Sequence, residues 1–163
     1  MGSAPLDEIA RAFDGVPRGE ITVREAEVID VYGPMEERAA ARAGDTETRW
    51  QDVPDADVRA CNTALCHVDP VSWRYYIARY MTWSLLHFET DSSMSADAII
   101  YTFDVATDSP VLTAYAHERF QLLDRAQSEV VARFLRYMST REDFADARVA
   151  KKAMGKYWDR FDR

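Results

Sequence analysis

The segment opening at Asp69-Pro70 limits the fold more than any other part of the chain. An aspartate followed by proline is a helix start. The carboxylate accepts from free N–H groups of the first turn, and proline at the first helical position leaves no N–H unpaired. The stretch behind it, about 70–89, carries Trp73, Tyr75, Tyr76, Ile77, Tyr80, Met81, Trp83, Leu85, Leu86 and Phe88. These residues occupy most of a helical circumference, and a helix apolar on most sides has to be surrounded. It is too short and carries too many charges to be a membrane span. The rest of the chain must supply the elements that wrap it.

Those elements read as helices. Pro5–Phe13 places Leu6, Ile9, Ala10 and Phe13 on one face. Thr22-Val23-Arg24-Glu25 has the form of a capping box that starts a helix to Tyr32, stopped or kinked by Gly33-Pro34. Met35–Ala43 has little apolar surface and reads as an exposed arm. Asp55 starts a helix expected to reach Cys66. Ser95 caps a helix over 96–105; its Ile99–Phe103 run also has strand character, but no second strand exists to pair with it. Thr107–Pro110 reads as a loop, and 112–122 as irregular or short helical. Asp124-Arg125-Ala126-Gln127 starts a helix with Val130, Val131, Phe134, Leu135 and Met138 in one stripe, and Ser139-Thr140 is expected to cap the last helix. The expectation is an all-α fold: a single compact helical domain, residues 1–163, of about six to eight helices around the aromatic helix.

Length agrees: a compact chain of 163 residues buries roughly 70% of its unfolded surface, so its core needs no staple. The formal charge is −8, which opposes nucleic-acid phosphates and anionic membranes and favours basic partners. The charge is uneven: residues 1–132 hold 11 basic and 23 acidic side chains, residues 133–163 hold 9 and 5. The two cysteines, Cys61 and Cys66, are poorly placed on a helix for a disulfide and read as buried free thiols. The N-terminus lacks an apolar leader region and carries Asp7 and Glu8, so a cytoplasmic location is expected.

Trp50-Gln51-Asp52-Val53-Pro54, Ala64-Leu65-Cys66-His67-Val68-Asp69 and Trp73-Arg74-Tyr75-Tyr76-Ile77-Ala78-Arg79-Tyr80-Met81 form an ordered pattern. It continues in Leu123-Asp124-Arg125-Ala126-Gln127 and Phe134-Leu135-Arg136-Tyr137-Met138. The pattern resembles an uncharacterised bacterial family of small proteins of unknown function, over roughly residues 21–138. The resemblance implies no activity and no catalytic residue. Some small bacterial proteins of this general kind neutralise a toxin encoded beside them.

Tests for catalytic chemistry find little. His67, His87 and His117 are far apart, no His-Glu-x-x-His is present, and Cys66-His67 adjacency is not the spatial pairing a dyad needs. No nucleophile elbow or phosphate-binding glycine pattern occurs. Arg148, Lys151, Lys152, Lys156 and Arg160 form a basic run near Tyr157, Trp158 and Phe161, but such cations more often make a solvated face. No catalytic residue, metal or cofactor is assigned.

Two functions remain. The first is a non-enzymatic binding protein, immunity- or antitoxin-like, that neutralises a basic partner protein through Glu25, Glu27, Asp30, Glu36 and Glu37. The alternative is a small-ligand-binding or catalytic helical domain with a pocket beside the aromatic helix, lined by Trp73, Arg74, Tyr76, Tyr80, Trp83 and His87. A dense core explains the same aromatics. A homodimer is compatible with either.

Overall fold

A computed structural model of the protein describes residues 4–162. Among the described residues nine α-helices follow one another: α1 (Ala4–Ala12), α2 (Val23–Asp30), α3 (Met35–Gly44), α4 (Asp55–Ala60), α5 (Pro70–His87), α6 (Ser95–Phe103), α7 (Pro110–Phe120), α8 (Arg125–Ser139) and α9 (Ala147–Lys156). Short 3-10 turns lie at Trp50–Asp52, Ala64–Cys66 and Trp158–Phe161, and no strand is present among the described residues.

The aromatic segment is the hub. α1, α4, α6, α7 and the 3-10 turns at 50–52 and 64–66 pack around α5, and α8 and α9 form a further layer against α1 and α6. Trp73, Tyr75, Tyr76, Ile77, Tyr80 and Met81 are fully buried. An unpaired buried donor costs about 1–3 kcal/mol; the Tyr75 hydroxyl is left unpaired, while Trp73, Tyr76 and Tyr80 find partners. The Trp73 indole N–H donates to Thr102 Oγ1 at 2.9 Å, and the Tyr80 hydroxyl donates to the Cys61 carbonyl at 2.5 Å. Outside α5, Trp50 and Trp158 donate to the Phe13 and Phe103 carbonyls.

Two side chains join elements far apart in sequence. Asp69 caps α5, accepting from the N–H groups of Val71 and Ser72, and the same carboxylate accepts from Glu20 and Ile21 at 3.1 and 2.9 Å. Gly19 lies so close that a Cβ there would stand 2.4 Å from Asp69 Oδ1. Gln127 completes the capping box with Asp124, accepts from Arg74 Nε at 3.0 Å and donates to the Ala12 carbonyl at 2.9 Å. One amide thereby ties α8, α5 and the end of α1 together.

The structure corrects several local expectations. α4 ends at Ala60, and a 3-10 turn, not a continued helix, carries Ala64–Cys66. Ser95 does not cap α6: its hydroxyl donates to the Val58 carbonyl at 2.7 Å, and Met94, at φ 67°, precedes the helix. Ile99–Phe103 is helical, as expected. Residues 110–120 form a regular helix, started by Ser109-Pro110 in the manner of Asp69-Pro70. Ser139 and Thr140 bond back to Arg136 and Tyr137 carbonyls and belong to the end of α8; α9 starts at Ala147.

α3 is held unlike the rest. It contributes no buried side chain. The Thr22 side chain accepts from the Glu25 N–H, as a capping box requires, but the Glu25 carboxylate turns to α3. There it accepts from Arg42 Nε at 2.7 Å and from Arg38 at 3.1 Å. Glu25 is fully buried, and the Arg42 guanidinium holds its carboxyl below the usual range, with Arg38 adding to the effect against the cost of burial. Replacing Glu25 with alanine strands two guanidinium groups and is expected to cost about 2–3 kcal/mol, at the lower end of buried pairs because both arginines are partly solvated. Hydrogen exchange should quicken over 35–44 while 70–87 stays protected. Because the folded pKa is depressed, this stabilisation is present above the ordinary glutamate pKa and disappears as pH falls through the lower, folded value.

A second pair has the opposite sign. Asp97 on α6 neighbours Asp146, which precedes α9, and burial first, then the Asp146 carboxylate, pushes the Asp97 carboxyl up to about 6. A raised folded pKa means the contact stabilises fully below the unfolded value and fades as pH rises through about 6. Asp97→Asn is expected to stabilise the protein at pH 7.5 by roughly 1 kcal/mol after discounting for solvent. Its advantage in thermal melts should vanish by about pH 4, where the wild-type Asp97 is protonated.

Candidate functional site

The five acidic candidates share the α2–α3 hairpin but not one environment. Glu25 is internal, neutralised by Arg38 and Arg42. It is structural and cannot meet a partner. Glu27 is half-buried and accepts from the Thr63 N–H at 3.0 Å and its hydroxyl at 2.9 Å, tying α2 to the segment before the 64–66 turn. Asp30 lies 2.8 Å from His67 Nε2 and stays partly open to solvent. Glu36 and Glu37 are exposed on the first turn of α3.

The stop expected at Gly33-Pro34 separates these helices, but the form of the turn was not anticipated. α2 closes with Tyr32 N–H donating to the Ile29 carbonyl and Gly33 N–H to the Val28 carbonyl, a Schellman pattern. The left-handed position of that pattern, usually glycine, is Tyr32 at φ 56°. Gly33 is required one residue on, where a Cβ would stand 2.5 Å from Val28 Cγ1. Tyr32 is 96% exposed, flanked by exposed Val31 and Met35. Left-handed backbone costs a non-glycine residue about 1–2 kcal/mol, and the ring recovers none of it inside the protein. The glycine next to Tyr32 was the available signal, read only as a stop.

The aromatic candidates divide in two. Trp73, Tyr76 and Tyr80 fill the core and line no opening. Arg74 is committed to Gln127. Trp83 and His87 do border a cleft of about 860 Å³, with Asp55, Arg59, Asn62 and Met94 on its other walls. Their rings meet at a tilt of 37° with centroids 5.0 Å apart. Arg79 pairs with Asp55 at the rim, and the Asn62 amide donates to the Ser93 carbonyl at 2.9 Å.

The remaining reactive groups are not arranged for nucleophilic chemistry. Both cysteines are free, but Cys66 is exposed, not buried as expected. Burial of its sulfur nevertheless pushes the Cys66 thiol up, and burial with Glu27 and Asp57 pushes Cys61 to about 12. Neither is an activated thiolate. Among the described residues no three His, Cys, Asp or Glu side chains are grouped to hold a metal ion. No helix among the described residues is long and apolar enough to cross a membrane. In the basic run, Lys156 is taken up by Asp104 and the Val105 carbonyl, and Trp158 is core.

Arg119 was not anticipated. It is buried on α7 and donates to the Leu65 and Val68 carbonyls at 2.5 and 2.8 Å, with Tyr115 beneath its guanidinium at 4.2 Å. Burial holds its pKa below the usual arginine value. Its partners are carbonyls and a phenol, so its role is to fasten α7 to the 64–68 segment.

Residues 3–161 match a family of unknown function, DUF6714, and the chain belongs to it. The match extends past both ends of the 21–138 pattern. No functionally curated protein and no solved structure matches the chain.

Proposed function

We propose that this member of the DUF6714 family is a non-enzymatic binding protein that docks a basic partner protein on the tip of its α2–α3 hairpin. A neutralising role of the immunity or antitoxin kind is its most concrete form. Tyr32 carries the reading: a strained, solvent-directed aromatic with no role in the core. Tyrosine is a frequent interface anchor, and here it stands beside Val31 and Met35, with Glu36 and Glu37 on the adjoining turn. The net charge of −8 would speed encounter with a basic surface. Glu25 and Glu27 serve the same face indirectly, by fixing the hairpin against the core.

Tyr32→Asn separates stability from binding. Asparagine tolerates the left-handed conformation better, so the variant should be more stable by roughly 0.5–1 kcal/mol and should lose the partner. Tagged wild type, Tyr32→Asn and Glu36→Lys/Glu37→Lys are compared in capture from source lysate at rising salt. A basic protein retained by wild type at low salt, released as salt rises and lost from both variants is expected. Equal recovery by the variants rejects this surface, and no partner in any wash rejects the reading.

The cleft beside Trp83 and His87 supports a second reading, small-molecule binding. A metabolite that raises the wild-type melting temperature and does so less for His87→Ala is the expected result. A broad screen without any shift removes it.

A further inference from the structure

The cleft beside Trp83 and His87 holds polar groups that the protein itself leaves unused. Of the four tryptophans, Trp50, Trp73 and Trp158 donate their indole N–H inside the protein. Trp83 is only 4% exposed and borders the cleft, yet its N–H has no partner among the described residues. A donor on a side chain this buried is rarely left unpaired. Arg59 stands on the wall that α4 forms, exposed and without an ion pair or hydrogen bond for its guanidinium among the described residues. Its neighbours on that wall, Ala56 and Ala60, are small.

The nearby acids are already engaged. Asp55 pairs with Arg79, and its other oxygen lies 3.9 Å from His87 Nε2. Asp91 accepts from the Ser93 N–H and hydroxyl at 2.8 and 2.9 Å. The cleft is left with open donors and one uncompensated positive charge, in a chain whose net charge is −8. That surplus matches an anion. A single guanidinium fork fits a carboxylate in a bidentate pair, whereas a phosphate dianion calls for more positive charge.

A further wall is fixed before any ligand arrives. Met94 has a left-handed backbone, φ 67°, and is 66% exposed. That conformation is costly for any residue but glycine. Two bonds enforce it: the Asn62 amide donates to the Ser93 carbonyl at 2.9 Å, and the Ser95 hydroxyl to the Val58 carbonyl at 2.7 Å. The thioether is thereby held at the cleft instead of in the core. Methionine sulfur makes favourable contacts with aromatic rings, and the Trp83 and His87 rings border the same space.

We propose that this cleft binds a small organic acid, a planar ring bearing one carboxylate. The Arg59 guanidinium holds the carboxylate, the Trp83 N–H donates to an acceptor on the ligand, and Met94 with the Trp83 and His87 rings encloses the ring. The cleft volume of about 860 Å³ lies within the range of small-molecule pockets. The proposal rests on the small-molecule reading of this cleft and names its ligand class.

Three probes that share one ring test it: naphthoate, naphthamide and naphthylmethylammonium. Each is titrated into the isotope-labelled full chain while amide and indole N–H resonances are followed. The Trp83 indole signal is assigned from its contacts to the His87 ring, whose centroid is 5.0 Å away. Naphthoate should shift that signal and the 92–95 amides, and bind at least about tenfold more tightly than either other probe. Arg59→Gln should lose about that factor for naphthoate alone, with its spectrum unchanged outside the cleft. Met94→Gly, relieved of strain, should melt higher and yet bind naphthoate more weakly. Tyr32→Asn should bind it as wild type does. Equal or tighter binding of the amide or the ammonium probe overturns the carboxylate class, as does undiminished affinity in Arg59→Gln; either result leaves the cleft a small-molecule site. Silence from all three probes overturns the proposal, and the broader reading falls only if the metabolite screen is silent too.

Discussion

Burial of α5 around most of its circumference, with only Val71 and Leu86 exposed, sets the terms for everything else in this protein. A helix with large side chains on every side cannot rest against a single neighbour, so the other elements have to approach it from several directions. Most of them are short, and short helices are marginal on their own. Their stability comes from the faces they lay against α5 and from a few polar knots that fix register. Asp69 and Gln127 are the clearest of these. Each satisfies a helix N-terminus and also binds backbone from a distant segment, so local capping and tertiary docking are one set of hydrogen bonds.

Distance from that hub decides how an element is held. α6 reaches the core through Ile99, Ile100 and Phe103, so dispersion and desolvation hold it. α3 never reaches the core, and a buried carboxylate gripped by two arginines replaces the missing apolar contact. Such a grip is directional and depends on pH, unlike apolar packing. The hairpin is thus held in one orientation while its outer side stays free of structural duty. That freedom is what makes Glu36, Glu37 and Tyr32 informative: nothing in the folding of the chain demands them where they are.

The fold was legible where signals were local and redundant. The Asp69-Pro70 start, the aromatic circumference behind it and the Asp124–Gln127 box each produced the element expected. Ser109-Pro110 carries the same start signal but was read as a loop, because the helix behind it lacks a one-sided apolar stripe: only Arg119 and Phe120 of α7 are buried. Glu25 was misplaced for a different reason. Periodicity tells which residues share a face, not which charges on neighbouring helices cancel, and Arg38 and Arg42 lie 13 and 17 residues away. Likewise composition could not separate Trp83 and His87, which border a cleft, from Trp73, Tyr76 and Tyr80, which fill the core. That distinction arises from where α4 and the 88–94 segment pass over the end of α5.

The hairpin tip combines aromatic exposure with negative charge. A basic partner meeting it would be steered at long range and released by salt. Such steering sets how fast two surfaces meet, while the anchor side chain sets how long they stay together. The grip of Arg38 and Arg42 on Glu25 fixes α3 against α2 before any encounter. Tyr32 is held outward by its own backbone conformation. Binding at the tip would therefore have little backbone left to order, and the strain at Tyr32 is the cost of that preparation.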